Sequence, residues 1–218
     1  MAEADNDRVS VRDWDADRQR MIADQLRARD VRDERVLSAI SRVERHRFIP
    51  EDARSEAYED HPVPIGHGQT ISQPYIVGFM TQALDVGPRH RVLEIGTGRG
   101  YQTALLAELA REVFSIEVLP ELAAHARVTL TELGYQNVHI RVGDGYDGWP
   151  EEAPFDRILG AAAPREIPPI LVDQLADDGI LVLPVGDWHQ EIKVIQKPGG
   201  QVQSRDVLPV RFVPMVRR

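Results

Sequence analysis

The chain has 218 residues, 42% of them hydrophobic and 28% charged, an ordinary globular balance sufficient for one substantial core or one domain with an added subdomain. It has no cysteine, which excludes disulfides, cysteine–zinc sites, thiol nucleophiles and iron–sulfur clusters, and its seven histidines form no H-E-x-x-H or other close pair, so no metal site is expected. A net charge of −9 argues against a nucleic-acid partner, and without a signal peptide or a membrane-length apolar run the expectation is a soluble cytoplasmic protein, monomeric for want of any assembly signal.

Residues 1–16 are polar and acidic and are expected to be flexible, leaving 17–218 as a single domain. Within it, 17–74 reads as a helical and loop extension and 75–218 as an α/β core. Two amphipathic helices are expected in 17–45. Met21, Ile22 and Leu26 form the first apolar stripe, Val36, Leu37, Ile40 and Val43 the second, and Asp33 is placed to cap the second helix. Phe48-Ile49-Pro50 ends this region, and a loop rich in Pro, Gly and His runs from Tyr58 to Gln69. Ile71-Ser72-Gln73-Pro74 then leads into an apolar helix, Tyr75 to Leu84.

From Arg91 onward strands and helices alternate. Strands are expected at 91–95, 113–117, 138–142, 155–160 and 179–185, with helices at 101–111, 119–133 and 168–175 between them. Residues 191–196 and 206–213 read as antiparallel strands joined through Pro198-Gly199-Gly200. This pattern specifies an α/β fold: a doubly wound, Rossmann-like, mostly parallel sheet with an antiparallel C-terminal edge and an N-terminal helical extension.

The ligand of such a sheet lies beyond the carboxyl ends of its strands. There the first strand of the core runs into Gly96-Thr97-Gly98-Arg99-Gly100-Tyr101, a glycine turn that lets a ligand approach bare backbone near a helix N-terminus. The third glycine comes one residue too early for the dinucleotide fingerprint G-x-G-x-x-G, and no Lys-Ser/Thr follows as a Walker loop requires. Glu94 places a negative charge where a diphosphate would lie, and Arg99 is the only cation of the loop. Both facts favour a cationic cofactor, S-adenosyl-L-methionine. Glu117 ends the second strand of the core, where a carboxylate accepts from ribose hydroxyls. Asp144, between Gly143 and Gly145, is placed for an adenine amino group; taken alone it would read as an ordinary turn residue, but in this succession of strand ends the ligand role prevails. Ala161-Ala162-Ala163 leaves room at the mouth.

These residues resemble the protein-L-isoaspartate O-methyltransferases, a class I S-adenosylmethionine-dependent family, along nearly the whole chain. The likeness runs through Gln25–Arg29, Val43–Pro50, Pro64–Pro74, Val92–Gly98, Gly143–Gly145, Glu152–Asp156, Leu183–Gly186 and Leu208–Pro214. Gly68-Gln69-Thr70-Ile71-Ser72-Gln73-Pro74 is its most specific segment. The resemblance implies methyl esterification of the free α-carboxylate of isoaspartyl residues in aged proteins and peptides, an ester that collapses to a succinimide and starts repair. It assigns the active-site role to Ser72. Cofactor contacts carry over to Gln69, Thr70, Ile71, Ser72, Glu94, Gly96, Thr97, Gly98, Gly100, Glu117, Asp144 and Gly145. Two departures stand out: Val216 replaces a threonine of some relatives near the substrate cleft, and Asp187-Trp188-His189 replaces a more glycine-rich loop.

An isoaspartyl α-carboxylate, with a pKa of about 3.5, is already ionised at neutral pH, so no strong general base is required. A neutral hydroxyl such as that of Ser72 orients it without blunting it. Position alone leaves Ser72 equally suited to capping the helix that follows. His67 is expected to be solvated, Trp149 to be a packing residue, Asp173, Asp177 and Asp178 to form a solvated face, and Tyr101 either to underlie the cofactor or simply to start its helix. Three rivals remain: a methyltransferase for aspartate in one dedicated peptide, a nicotinamide-dependent reductase, and a cofactor-sensing module without catalysis.

Overall fold

Asp13 opens the first helix, its carboxylate accepting from the Ala16 N–H at 3.0 Å, and α1 (Trp14–Met21) passes directly into a π-helical turn, Ile22–Arg27. The computed structural model describes residues 12–217. Of the segment 1–16 expected to be flexible, residues 13–16 belong to this helix and its cap, Arg12 precedes them, and 1–11 lie outside the described residues. Trp14 fixes the start of the helix by stacking on His46, with ring centroids 4.7 Å apart. The second helix, α2 (Glu34–Arg42), begins where expected, because Asp33 accepts from the Arg35 N–H at 2.9 Å. Val43, counted in its stripe, is the extended residue that ends it.

The supposed loop from Tyr58 to Gln69 contains a hairpin. β1 (Val63–Gly66) pairs antiparallel with β2 (Gln69–Ile71), Val63 and Ile65 pointing inward. Gly66, His67 and Gly68 all have positive φ and close the turn; His67 is exposed, as expected. Gln69 to Ile71 are therefore held in a strand.

Seven strands form the main sheet: β3 (Arg91–Ile95), β4 (Glu112–Glu117), β5 (Val138–Val142), β6 (Phe155–Gly160), β7 (Leu175–Gly186), β8 (Gln190–Gln196) and β9 (Gln203–Val210), in the order β5-β4-β3-β6-β7-β8-β9. β3 to β7 are parallel and β8 and β9 antiparallel, as the alternation specifies. The topological switch lies between β3, paired with β4 on one side, and β6 on the other, so the crevice opens at their carboxyl ends. On one face α3 (Pro74–Leu84) and α4 (Tyr101–Leu109) bury Met80, Leu84 and Leu106 against Val92, Val113 and Val182. On the opposite face Leu171 of the short α6 (Pro169–Asp173) packs with Leu93, Phe114, Phe155 and Leu181. A third cluster joins α1, α2 and the hairpin to α4 and α5 (Pro120–Glu132), so the N-terminal extension shares the core of the sheet domain.

Two strands, β7 and β9, differ from expectation by more than one residue, β9 running 203–210 where 206–213 was expected. β7 begins four residues early, because Leu175 pairs with Phe155 across an irregularity that leaves Asp177 and Asp178 exposed. β9 ends at Val210 rather than 213, because the chain then leaves β8 and pairs instead beside Ala163.

Candidate active site

The loop after β3 is tied to the neighbouring strand before any ligand arrives. The Gly96 N–H donates to the Ile116 carbonyl at 2.8 Å, and the Gly98 N–H to Glu117 Oε2 at 2.7 Å. Gly96 has φ +95° and Gly98 φ +56°, conformations that a side chain disfavours. A Cβ at Gly98 would also stand 3.2 Å from Ile65 Cδ1, so the bare backbone lets the hairpin close over the loop.

Glu117 lines the cleft that results. Its Oε1 accepts from the Leu119 N–H at 3.0 Å, so both oxygens are fixed by backbone while keeping acceptor capacity. Burial pushes its pKa up, opposed by the N–H groups of Leu119, Gly98 and Val118. Below it, Glu94 is wholly buried. Its Oε2 accepts from Thr103 Oγ1 and Ser115 Oγ, both at 2.5 Å, and Oε1 has no partner. Burial raises the Glu94 carboxyl to a pKa of about 8, the two hydroxyls pulling it down and Glu117 adding to the rise.

The opposite wall comes from β2 and the start of α3. The N-cap of α3 is Gln73, with no capping side chain, which removes capping as the role of Ser72. Instead the Gln73 amide donates to the Asp60 carbonyl at 3.0 Å and to Asp60 Oδ1 at 2.8 Å. The Ser72 hydroxyl has no hydrogen-bond partner among the described residues. It borders two adjoining clefts of about 1040 Å³ and about 720 Å³ of open space, mouths included, which share Thr70, Ser72, Ala161, Phe212 and Val213 as walls. The larger contains the glycine loop and Glu117; the smaller runs along Pro62, Gln73, Ile76 and Pro209–Val213.

The C-terminal segment roofs both. The Ala163 N–H donates to the Val213 carbonyl at 2.9 Å and the Met215 N–H to the Ala163 carbonyl at 2.8 Å, which lays Phe212–Val216 across the strand ends.

A family model described as Protein-L-isoaspartate(D-aspartate) O-methyltransferase matches residues 16–218. The chain belongs to this family. Protein-L-isoaspartate O-methyltransferases of Opitutus terrae and Anaeromyxobacter dehalogenans are 55% and 57% identical to it, over 92% and 85% of this chain and 87% and 90% of theirs. Among solved structures, a beta-aspartate methyltransferase (PCMT) from Plasmodium falciparum in complex with S-adenosyl-L-homocysteine is similar at a TM-score of 0.81 and 26% identity. The match covers 92% of this chain and 99% of that one. A further protein-L-isoaspartate O-methyltransferase matches with the same score and identity over 90% of this chain and 65% of its own longer chain.

Of the site residues expected in this family member, Gln69, Thr70, Ile71, Ser72, Gly96, Thr97, Gly98, Glu117 and Gly145 line the larger cleft. Glu94, Gly100 and Asp144 do not. Glu94 faces α4 rather than the cleft. Gly100 is the N-cap of α4 with φ +98°, and a Cβ there would stand 3.1 Å from Leu130 Cδ1 of α5, so its role is packing. Asp144 Oδ1 accepts from the Tyr146 N–H at 2.8 Å in a turn, with Arg217 Nη1 3.7 Å from Oδ2. Tyr101 both starts α4 and lines the cleft. Trp149 packs edge-on to Phe114, and Val216, 48% exposed, stands at the rim. Residue-by-residue reading missed the apolar wall of Val77, Met80 and Leu122 and the roof of Pro214 and Met215, which carry no polar signature.

Glu94 gives a pH-dependent expectation. A carboxyl whose folded pKa lies above its unfolded value binds more protons in the native state, so its contribution to stability is lost as pH rises from about 4.5 to about 8. Glu94→Gln removes that titration while keeping an acceptor for Ser115 and Thr103. The fall in Tm between pH 5 and pH 9 should be shallower in this variant than in the parent by at least about 3 °C. Parallel Tm–pH curves would show that Glu94 stays ionised throughout.

Proposed function

We propose that the chain transfers the methyl group of S-adenosyl-L-methionine to the α-carboxylate of L-isoaspartyl residues in damaged proteins and peptides, and that Ser72 orients that carboxylate. The observation that carries the assignment is the unengaged Ser72 hydroxyl at the neck between two clefts, one suited to the cofactor and one open along an extended wall to a polypeptide. The larger cleft fits S-adenosylmethionine chemically. Glu117 offers fixed acceptors to a ribose diol, apolar residues such as Ile71, Val77, Met80 and Leu122 make much of the wall, and Arg99 is the one cation of the lining. Gln69–Ile71 and Gly96–Gly98 flank the amino-acid end and Gly145 the adenine, while Asp144 holds the turn that presents Gly145 and Glu94 sets the loop from below.

S-adenosylmethionine supplies an already activated methyl group, which passes to a carboxylate oxygen while the carbon–sulfur electron pair stays on sulfur. The residues of this chain have correspondingly little covalent work. Thr70, Ser72 and the Phe212–Met215 roof align the reactants and keep water from the nucleophile. A donor as mild as a serine hydroxyl holds the carboxylate without quenching it. The ester then closes to a succinimide off the enzyme, and hydrolysis returns some normal aspartyl linkage. No helix of the described residues is long and apolar enough to cross a membrane. We place the activity in the cytoplasm, in a monomer acting on isoaspartyl polypeptides and not on nucleic acid.

Prolonged incubation with an isoaspartyl peptide and S-adenosylmethionine should form S-adenosylhomocysteine and accumulate the aspartyl isomer. Formation of S-adenosylhomocysteine with no isomer would contradict repair and favour a dedicated esterification.

A further inference from the structure

Behind the Ser72 wall lies Arg45, a guanidinium with no solvent exposure. Its Nε donates to the Ala57 carbonyl at 2.7 Å and its Nη2 to the Ser72 carbonyl at 2.8 Å. Its Cζ lies over the Tyr101 ring, 4.9 Å from the centroid, and Nη1 has no partner among the described residues. No carboxylate among the described residues pairs with it. Burial lowers its pKa to about 10, so it remains a cation at neutral pH. A buried unpaired charge is an expensive way to fill space; an apolar side chain of similar volume serves packing better. What the guanidinium adds is geometry, since its planar fork reaches two carbonyls from different loops while its face rests on the first residue of α4.

The consequence falls on one short link. Gln73 is held from one side through Asp60, and the Ser72 carbonyl from the other through Arg45, while the Ser72 hydroxyl between them has no partner among the described residues. The same guanidinium contacts Tyr101, which lines the cleft directly after the glycine loop. We infer that Arg45 is the positioning residue for catalysis: it locks the Ser72 peptide against the start of α4, so that the Ser72 hydroxyl points at the carboxylate to be methylated. It touches neither substrate nor cofactor and acts through Ser72. The inference therefore rests on the role assigned to Ser72 above.

A double-mutant cycle separates this role from simple support of the fold. Arg45→Lys keeps the charge but not the fork, so it cannot hold both carbonyls in the same geometry. Its kcat on an isoaspartyl peptide should fall about tenfold or more, while the Kd for S-adenosylmethionine stays within about threefold of the parent. In a Ser72→Ala background, where no hydroxyl is left to misplace, Arg45→Lys should change kcat by less than about twofold. Multiplying effects in the double variant would overturn the inference, as would cofactor affinity falling in step with turnover. If Arg45→Lys does not fold, Arg45→Gln, which keeps one amide donor, takes its place in the cycle; failure of both to fold would make Arg45 a stability residue and overturn the inference. Failure of the Ser72 reading shows separately, as a Ser72→Ala single variant with unchanged kcat.

Discussion

Glu117→Gln is expected to raise the Kd for S-adenosylmethionine about 100-fold, from the loss of two charge-assisted hydrogen bonds of roughly 1.5 kcal/mol each. The substitution is close to isosteric, so the effect is chemical. One oxygen becomes an NH2 group that must face a backbone N–H, of Gly98 or of Leu119, where the carboxylate had accepted from both. The ribose loses its ionised acceptor, and the glycine loop loses its tie to the end of β4. At saturating cofactor kcat should recover to within about tenfold of the parent, since Glu117 sits away from the transferred methyl group. Titration calorimetry reads the first quantity and steady-state kinetics the second. A Kd within about threefold of the parent would remove the ribose from Glu117.

Ser72→Ala should reverse that pattern. The hydroxyl has no partner among the described residues and is not the cap of α3, so its removal leaves no broken bond behind and Tm should move by less than about 2 °C. Cofactor Kd should stay within about threefold, while kcat for the isoaspartyl peptide falls about 10- to 100-fold, the worth of one orienting hydrogen bond of roughly 1.4–2.7 kcal/mol felt at the transition state. A fall in Tm and in both kinetic constants together would return Ser72 to a structural role. The two variants thus divide the cleft into a binding half and an aligning half.

Much of this arrangement is legible in the chain because it is local. The β3–glycine loop–α4 unit and the acidic end of β4 are contiguous in sequence, and Asp33 caps α2 through a residue two positions away. The parts that escaped are set by distant partners. β1 and β2 are too short, at four and three residues, for alternation to stand out from a Pro- and Gly-rich loop. The Phe212–Met215 roof owes its path to Ala163, some fifty residues earlier in the chain. Glu94 shows a different failure. Proximity to the glycine loop suggests a ligand contact, but side chains alternate along β3. Leu93 packs in the cluster on the α6 face, which turns Glu94 toward α4, where Thr103 meets it. Arg45 carried no signal at all, because a buried arginine reads in sequence like any exposed one.

The most direct test of the account is methyl transfer from labelled S-adenosylmethionine to two peptides identical except that one contains isoaspartate and the other aspartate at a single position. The account predicts base-labile methyl ester on the isoaspartyl peptide alone. Equal labelling of both peptides, or of neither while the cofactor still binds, would contradict it.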